Sequence, residues 1–179
     1  VVGNISVVGK DAQNEFYINS SSSPGNFSSG QAFGESPSRT NSVAVGDVNN
    51  DGFLDLVAGR GGFFGESNAV YLSSGGSTPS FTTEILFAIG PVATASVTAG
   101  DMDGDGDLDL ITGNGNDVEG QQNNIYLNNG GGDFSIRQRF GSLEDYTDVT
   151  AVGDLDGDGD LDVVVGNSSS MPEPRTNQD

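Results

Sequence analysis

Short apolar runs, alternating or continuous, are the dominant pattern along this chain. They are rich in β-branched side chains and are bounded by Gly, Asn, Asp and Ser, as at residues 43–45 and 108–111. Runs of this kind predict β-strands, and no segment shows the period of an amphipathic helix. The pattern therefore predicts an all-β protein.

The strand pattern repeats along the chain. Three acidic loops begin at Asp47, Asp101 and Asp154, which are 54 and 53 residues apart. Three tyrosines in Asn-x-x-Tyr segments recur at nearly the same spacing, 54 and 55 residues, namely Tyr17, Tyr71 and Tyr126. Each repeat holds four strand-like segments, and four short strands in about 50 residues are typical of a β-propeller blade.

The repeat divides the chain into about three blades' worth of four-stranded β-propeller, as a partial propeller or half of an oligomeric ring. We expect the back half of a blade at 1–40, full blades with acidic loops at 41–94 and 95–147, the front half of a blade with its acidic loop at 148–166, and a polar tail at 167–179. The back half should carry strands at 14–19 and 27–33, with 5–9 or 1–3 before them. The first full blade should carry strands at 42–46, 54–59, 69–73 and 81–87.

The loop that begins at Asp101 reads Asp-Met-Asp-Gly-Asp-Gly-Asp-Leu-Asp. Carboxylates at positions 1, 3, 5 and 9, bent by a glycine, suit Ca²⁺, which takes about 6–8 oxygen ligands. A backbone carbonyl is expected at position 7, so the side chain of Asp107 should point to solvent. An EF-hand is excluded, because position 12 lacks its Glu and the flanks indicate strands.

The same loop occurs three times and predicts three Ca²⁺ sites. The expected ligands are Asp47, Asn49, Asp51, Phe53 and Asp55; Asp101, Asp103, Asp105, Asp107 and Asp109; and Asp154, Asp156, Asp158, Asp160 and Asp162. Asp-Gly turns are the alternative explanation, but a turn gains nothing from several mutually repelling carboxylates. Asn49 lacks the charge of its counterparts, so the first site should be the weakest.

Composition narrows the possible partners. The net charge is −20, from 26 acidic and 6 basic residues, and three Ca²⁺ ions would reduce it to about −14. Nucleic acid is not expected, because phosphate binding needs Lys and Arg.

The absence of Cys and His excludes disulfides, zinc–thiolate sites and His-based catalysis. No apolar run is long enough to span a membrane, and the calcium loops favour an extracellular location.

The motifs resemble a known family. Phe-Gly near a strand end, followed by Val-Ala-Val-Gly-Asp-x-Asx-x-Asp-Gly-x-x-Asp-Leu-Val-x-Gly, is similar to the FG-GAP/VCBS repeat of integrin α-subunit propellers and of many secreted microbial proteins, including lectins. Phe-Gly is present at 33–34 and 140–141 but becomes Phe87-Ala88 between them. The Gly-Ala-Pro part is absent, which places the chain nearer the bacterial VCBS branch. The resemblance implies a calcium-stabilised, secreted propeller.

Three functions fit these features. The first is an extracellular binding or adhesion module for a glycan or protein, lectin-like, with structural calcium. The second is the propeller domain of a polysaccharide-degrading enzyme, and the third is a purely structural assembly repeat. Catalysis is not expected, because the acids outside the loops are scattered: Glu119, Glu144, Asp145 and Asp148. Phe63 and Phe64 are interpreted as a cap on a neighbouring blade's core, with a ligand platform as the alternative.

A homodimer is a further hypothesis. The last two predicted strands form the front half of a blade and the first ones form the back half. Two copies that exchange these halves would complete two shared blades and give a six-bladed ring. The alternative is that the chain is a fragment of a longer propeller.

Overall fold

The computed structural model describes residues 13–34, 39–61, 66–88, 90, 92–115, 121–143 and 145–168. These residues form twelve β-strands in four antiparallel sheets, so the all-β prediction is confirmed. The strands are β1 (Asn14–Phe16), β2 (Gln31–Phe33), β3 (Thr40–Gly46), β4 (Asp55–Arg60), β5 (Asn68–Leu72), β6 (Thr83–Phe87), β7 (Thr94–Gly100), β8 (Asp109–Asn114), β9 (Asn123–Leu127), β10 (Ile136–Phe140), β11 (Tyr146–Gly153) and β12 (Asp162–Ser168). Within these ranges the chain forms no helix that could cross a membrane.

The sheets follow the order of the chain. Strands β3–β6 and β7–β10 form two four-stranded sheets in which each strand pairs with the next, and we call them the first and second blades. The pairs β1–β2 and β11–β12 flank them as the leading and trailing half-blades. This is the blade topology of a β-propeller, and the described strands do not close into a ring.

The second strand of each full blade is buried on both faces. In β4, Leu56 and Ala58 pack toward the leading half-blade, while Val57 belongs to the core cluster between the two blades. Alternate residues of a strand point to opposite faces, so one continuous apolar run serves two cores. This explains why every residue of β4 and β8 is buried.

A repeated side-chain hydrogen bond ties each sheet to the next. The first Asn of the third strand donates its Nδ2 proton to a Thr hydroxyl at the start of the following blade. The pairs are Asn14–Thr40 at 2.8 Å, Asn68–Thr94 at 2.9 Å and Asn123–Thr147 at 2.9 Å. This contact gives a structural role to the Asn of the Asn-x-x-Tyr segments.

Some predicted strands are shorter in the structure. In the segment 27–33, Phe27 makes only an isolated bridge with Asn19, and the ladder begins at Gln31. The strand predicted from residue 81 begins at Thr83, because Phe81 instead packs its ring edge-on against Phe16 at 5.0 Å. The segments 1–3 and 5–9, together with Phe63 and Phe64, lie outside the described residues.

Candidate metal centre

Two of the three acidic loops bring carboxylate oxygens together. In the second loop, Asp101, Asp103 and Asp109 each offer an oxygen within 4.8 Å of the others. In the third loop, the same positions, Asp154, Asp156 and Asp162, form an equivalent group. Both groups combine positions 1, 3 and 9, and such an all-oxygen donor set suits a hard cation such as Ca²⁺.

The backbone of each loop wraps around the first Asp. Gly104 and Gly106 donate their N–H groups to the two oxygens of Asp101, at 2.8 and 3.0 Å. Both glycines have positive φ, +76° and +95°, a conformation that favours glycine. Asn50 adopts a φ of 57° at the position of Gly104 in the first loop, which Asn tolerates better than most residues. The loop curvature is therefore common to all three copies.

The Asp at position 9 is buried at the base of each of the first two loops. Asp55 and Asp109 have no exposed surface. The Oδ2 of Asp109 accepts from the N–H of Met102 at 2.8 Å, and its Oδ1 accepts from the N–H of Asn128 at 2.8 Å. In the first blade, Val48 and Ser73 donate to Asp55 in the same way. The last Asp thus joins the start of the loop to the third strand.

Burial changes the ionisation of these two groups. Desolvation raises the pKa of Asp109, the two backbone N–H donors lower it, and the charges of Asp103 and Asp105 raise it again. The pKa of Asp55 is raised by desolvation in the same way, with Asp47 and Asp51 nearby. A divalent cation in the loop would favour the ionised form and offset this cost.

Position 5 is alike in the three loops, whereas position 3 differs. Asp105 and Asp158 lie outside the groups of three, and each accepts the N–H of the residue two places on, at 2.9 and 3.0 Å. In the first loop, the amide Nδ2 of Asn49 donates to Asp51 at 3.0 Å. That amide occupies a carboxylate oxygen, so the first loop is the poorest of the three in free anionic oxygens.

At position 7 the structure differs from the prediction that the side chain of Asp107 points to solvent. Asp107 does not point freely into solvent, because its Oδ1 accepts a hydrogen bond from Nδ2 of Asn50 in the first loop. Its carboxylate also stands against Gly130, where an added Cβ would lie 2.8 Å from Oδ2. Asp160 in the third loop is exposed, and Phe53 in the first loop has 45% of its surface exposed. The contact of Asp107 exists only because the second loop lies beside the first.

Asn128 makes a second link between the first two loops. Its Nδ2 donates to the carbonyl of Val48 at 2.7 Å and to that of Leu108 at 3.0 Å. Its Oδ1 accepts from the N–H groups of Asn129 and Gly132. Sequence reasoning missed Asn50 and Asn128 as site residues. The only signal was that Asn128 ends the Asn-Asn-Ile-Tyr-Leu-Asn repeat segment.

These features define a propeller-type β-repeat protein with acidic hairpin loops. A model of the FG-GAP repeat matches residues 40–73, and a model of the FG-GAP-like repeat matches residues 59–112 and 113–165. The chain belongs to the FG-GAP repeat family. No curated protein matches it significantly. FG-GAP repeats commonly bind calcium, and the acidic loops lie within the matched residues.

The raised pKa values of Asp55 and Asp109 predict opposite pH dependences of the free energy of unfolding with and without calcium. For Asp55 and Asp109, the native state holds more protons than the unfolded state between the ordinary value of 3.8 and the raised folded value. The free energy of unfolding should therefore fall as pH rises through that window. With saturating calcium it should rise instead, because the cation binds only the ionised carboxylates.

Thermal melts in calcium-free and calcium-containing buffer, from about pH 4 to about pH 7, check this prediction. Asp109→Asn removes one of the two titrating groups and should flatten the calcium-free curve. Parallel pH curves in the two buffers would contradict it.

Proposed function

We propose that this chain is a calcium-binding propeller module that serves extracellular ligand binding or adhesion, with a glycan or a protein as ligand. In this role the calcium is structural. Each ion holds one hairpin loop closed and fixes the start of the second strand against the third. The blades then present the remaining loops and grooves as a rigid surface.

The observation that carries the proposal is the pair of equivalent acid groups in the second and third loops. Three carboxylate oxygens within 4.8 Å repel one another strongly unless a cation lies between them. A loop selected only for its turn would not place this repulsion at the same three positions twice. The backbone donors around Asp101 and Asp109 hold the arrangement in place.

Isothermal titration of calcium into metal-depleted protein tests the proposal. We expect up to three ions per chain, with the second and third loops filled before the first. Asp101→Ala should remove one ion, whereas Asp148→Ala, an exposed acid outside the loops, should leave the stoichiometry unchanged. The absence of saturable calcium binding by folded wild-type protein would overturn the proposal.

The first loop offers a gain-of-affinity test. Asn49→Asp restores the carboxylate of the other two loops and removes the amide bond to Asp51. We expect the weakest of the calcium sites to tighten by about tenfold, since one added charge–charge interaction of about 1.4 kcal/mol corresponds to that factor. Asn129→Asp, an exposed Asn outside the loops, is the matched control. An equal effect of both variants would mean that net charge alone is responsible.

The proposed role is binding rather than catalysis. Among the described residues, the groups of acids that the fold brings together lie in the acidic loops, while Asp145 accepts a hydrogen bond from the N–H of Ser142 at 3.0 Å and Asp148 is exposed. Glu119 and Glu144 lie outside the described residues. FG-GAP repeats are typical of extracellular proteins, which supports the proposed location.

The homodimer stays a prediction within this proposal. Val164 and Val165 of the trailing half-blade are 47% and 37% exposed, whereas Val57 and Ala58 at the equivalent positions of β4 are fully buried. Val57 is buried in the core between the first and second blades, so the surface missing over Val164 is that of a following blade, which a ring closed by a second copy would supply. Light scattering with calcium should give twice the chain mass, and a monomer would contradict assembly.

A further inference from the structure

Two cavities lie at equivalent places in the repeat. One, of about 380 Å³, lies between the leading half-blade and the first blade, and the other, of about 520 Å³, lies between the two blades. Each has an edge-to-face Phe–Tyr pair in its wall. The ring centroids of Phe33 and Tyr71 are 5.5 Å apart, and those of Phe87 and Tyr126 are 5.3 Å apart. The same architecture therefore permits a direct comparison of their polar groups.

At the first cavity the Tyr71 hydroxyl has two charged partners. The guanidinium of Arg60 donates to the hydroxyl of Tyr71 and, at 2.7 Å, to Oε1 of Glu84. The hydroxyl of Tyr71 in turn donates to Glu84 at 2.8 Å. The proton of the Tyr71 hydroxyl thus has a carboxylate acceptor within the protein, while Nε of Arg60 stays buried without a partner among the described residues.

The polar groups of the second cavity differ. Asn114 stands at the register position of Arg60, but its Nδ2 donates to Thr112 and to the carbonyl of Gln122. Arg137 stands at the position of Glu84, directly opposite Tyr126 in the ladder. Tyr126 is 3% exposed; the guanidinium of Arg137 can only donate to its hydroxyl, and the hydroxyl proton has no acceptor among the described residues. A buried hydroxyl without an acceptor is costly, so a ligand that supplies an acceptor oxygen here would be favoured.

The family's Phe-Gly motif is also altered at this cavity. A Cβ on Gly34 of the first cavity would lie 2.6 Å from the hydroxyl of Tyr71. Ala88, which lines the second cavity at the equivalent position, carries a Cβ and has a φ of 53°. A residue other than Gly is uncommon in this conformation. The departure from the repeat thus coincides with the cavity whose hydroxyl is left open.

Positive charge is concentrated beside this cavity. Arg137 lines it and has no carboxylate partner among the described residues. Arg139, on the same face of β10, lines an adjoining cavity of about 200 Å³ together with Arg137. Burial raises the pKa of Tyr126, while donation from the Arg137 side chain to its hydroxyl and the charges of both arginines lower it. In a chain with 26 acidic and 6 basic residues, these two cations form a local site for an anion.

We propose that the cavity between the two blades binds the carboxylate of a uronic acid. The guanidinium of Arg137 and the hydroxyl of Tyr126 donate to the carboxylate, and charged donors give the stronger share of such a contact. Asp133 and Ser135 line the same cavity and face the sugar hydroxyls, while Leu86 and Phe87 supply apolar wall for the ring. This assignment rests on the proposed binding function and names its ligand class.

The test is titration of galacturonate and of trigalacturonate, separately, into calcium-loaded protein. Arg137→Gln should weaken binding by about tenfold or more, and Tyr126→Phe by about two- to tenfold. Tyr71→Phe is the matched control, because it removes the hydroxyl that Arg60 and Glu84 already satisfy, and it should leave the affinity unchanged. Tighter binding of the trisaccharide identifies a polysaccharide source, and equal binding identifies the free sugar acid.

Three results would overturn the assignment. The first is the absence of uronate binding by protein that still takes up calcium, which would leave the proposed calcium function intact. The second is equal binding by wild type and Arg137→Gln, which would place the ligand on a bound calcium ion or elsewhere. The third is tighter binding of a short peptide through its C-terminal carboxylate, which would contradict the sugar assignment.

Discussion

Saturating calcium should raise the melting temperature of this chain by about 10–20 °C. A ligand at a hundredfold excess over its dissociation constant stabilises the native state by about 2.7 kcal/mol per site. The two loops with grouped carboxylates would then contribute about 5 kcal/mol. For a chain of this size, each kcal/mol corresponds to about 2–4 °C. The effect is large because the ions also neutralise carboxylates in a chain of net charge −20.

Asp103→Ala isolates the second loop in this experiment. It removes an exposed carboxylate from the group of three and should roughly halve the calcium-dependent shift. Asp148→Ala changes the net charge equally but lies outside the loops, so it should keep the full shift. Mg²⁺ at the same concentration should stabilise much less, because it demands a shorter and more regular oxygen shell. An unchanged shift in Asp103→Ala would contradict the assignment of the loop.

Replacing Asn128 by Ala should destabilise the protein by about 3–4 kcal/mol. Its buried amide makes four hydrogen bonds to backbone groups of two blades. Each bond contributes about 0.5–1.5 kcal/mol, and a buried carbonyl left without a donor costs about 1–3 kcal/mol. The carbonyl of Val48 is such a group, because its bond to Asn128 is buried. Thermal or urea unfolding at fixed calcium measures the loss.

The same substitution should also weaken calcium binding at the first loop. The side chain of Asn128 holds the carbonyl of Val48, which lies between the first and third positions of that loop. Asn129→Ala is the control, because Asn129 is exposed and its side chain accepts only a long bond from Gly131 at 3.4 Å. Equal losses in both variants would show that Asn128 has no special role.

Local pattern determined most of the architecture. Alternating and continuous apolar runs predicted strands, and their spacing predicted four strands per repeat, because the period of two and the turn residues are properties of short segments. The acidic loops could be predicted from the sequence for the same reason. Asp101, Asp103 and Asp109 lie within nine residues, and the glycines between them allow the turn that brings their oxygens together.

The strand ends were less predictable. Phe27 and Phe81 are apolar and fit a strand pattern, yet neither lies in a named strand. Phe81 packs against rings of another sheet. Side-chain packing between sheets decided where the ladder stops, and a single-strand pattern contains no information about that contact.

Only the tertiary structure decided how the blades meet. Asp107 was expected to face solvent, but it bonds to Asn50, which is 57 residues away in sequence. Asn128 contacts Val48, which is 80 residues away in sequence. The Tyr126 hydroxyl lacks an acceptor because Asn114 and Arg137 stand where the first blade has Arg60 and Glu84. The sequence by itself determined the strands and the acidic loops, since these arise within one repeat. Contacts between repeats depend on how adjacent blades pack, and this geometry exists only in the folded chain.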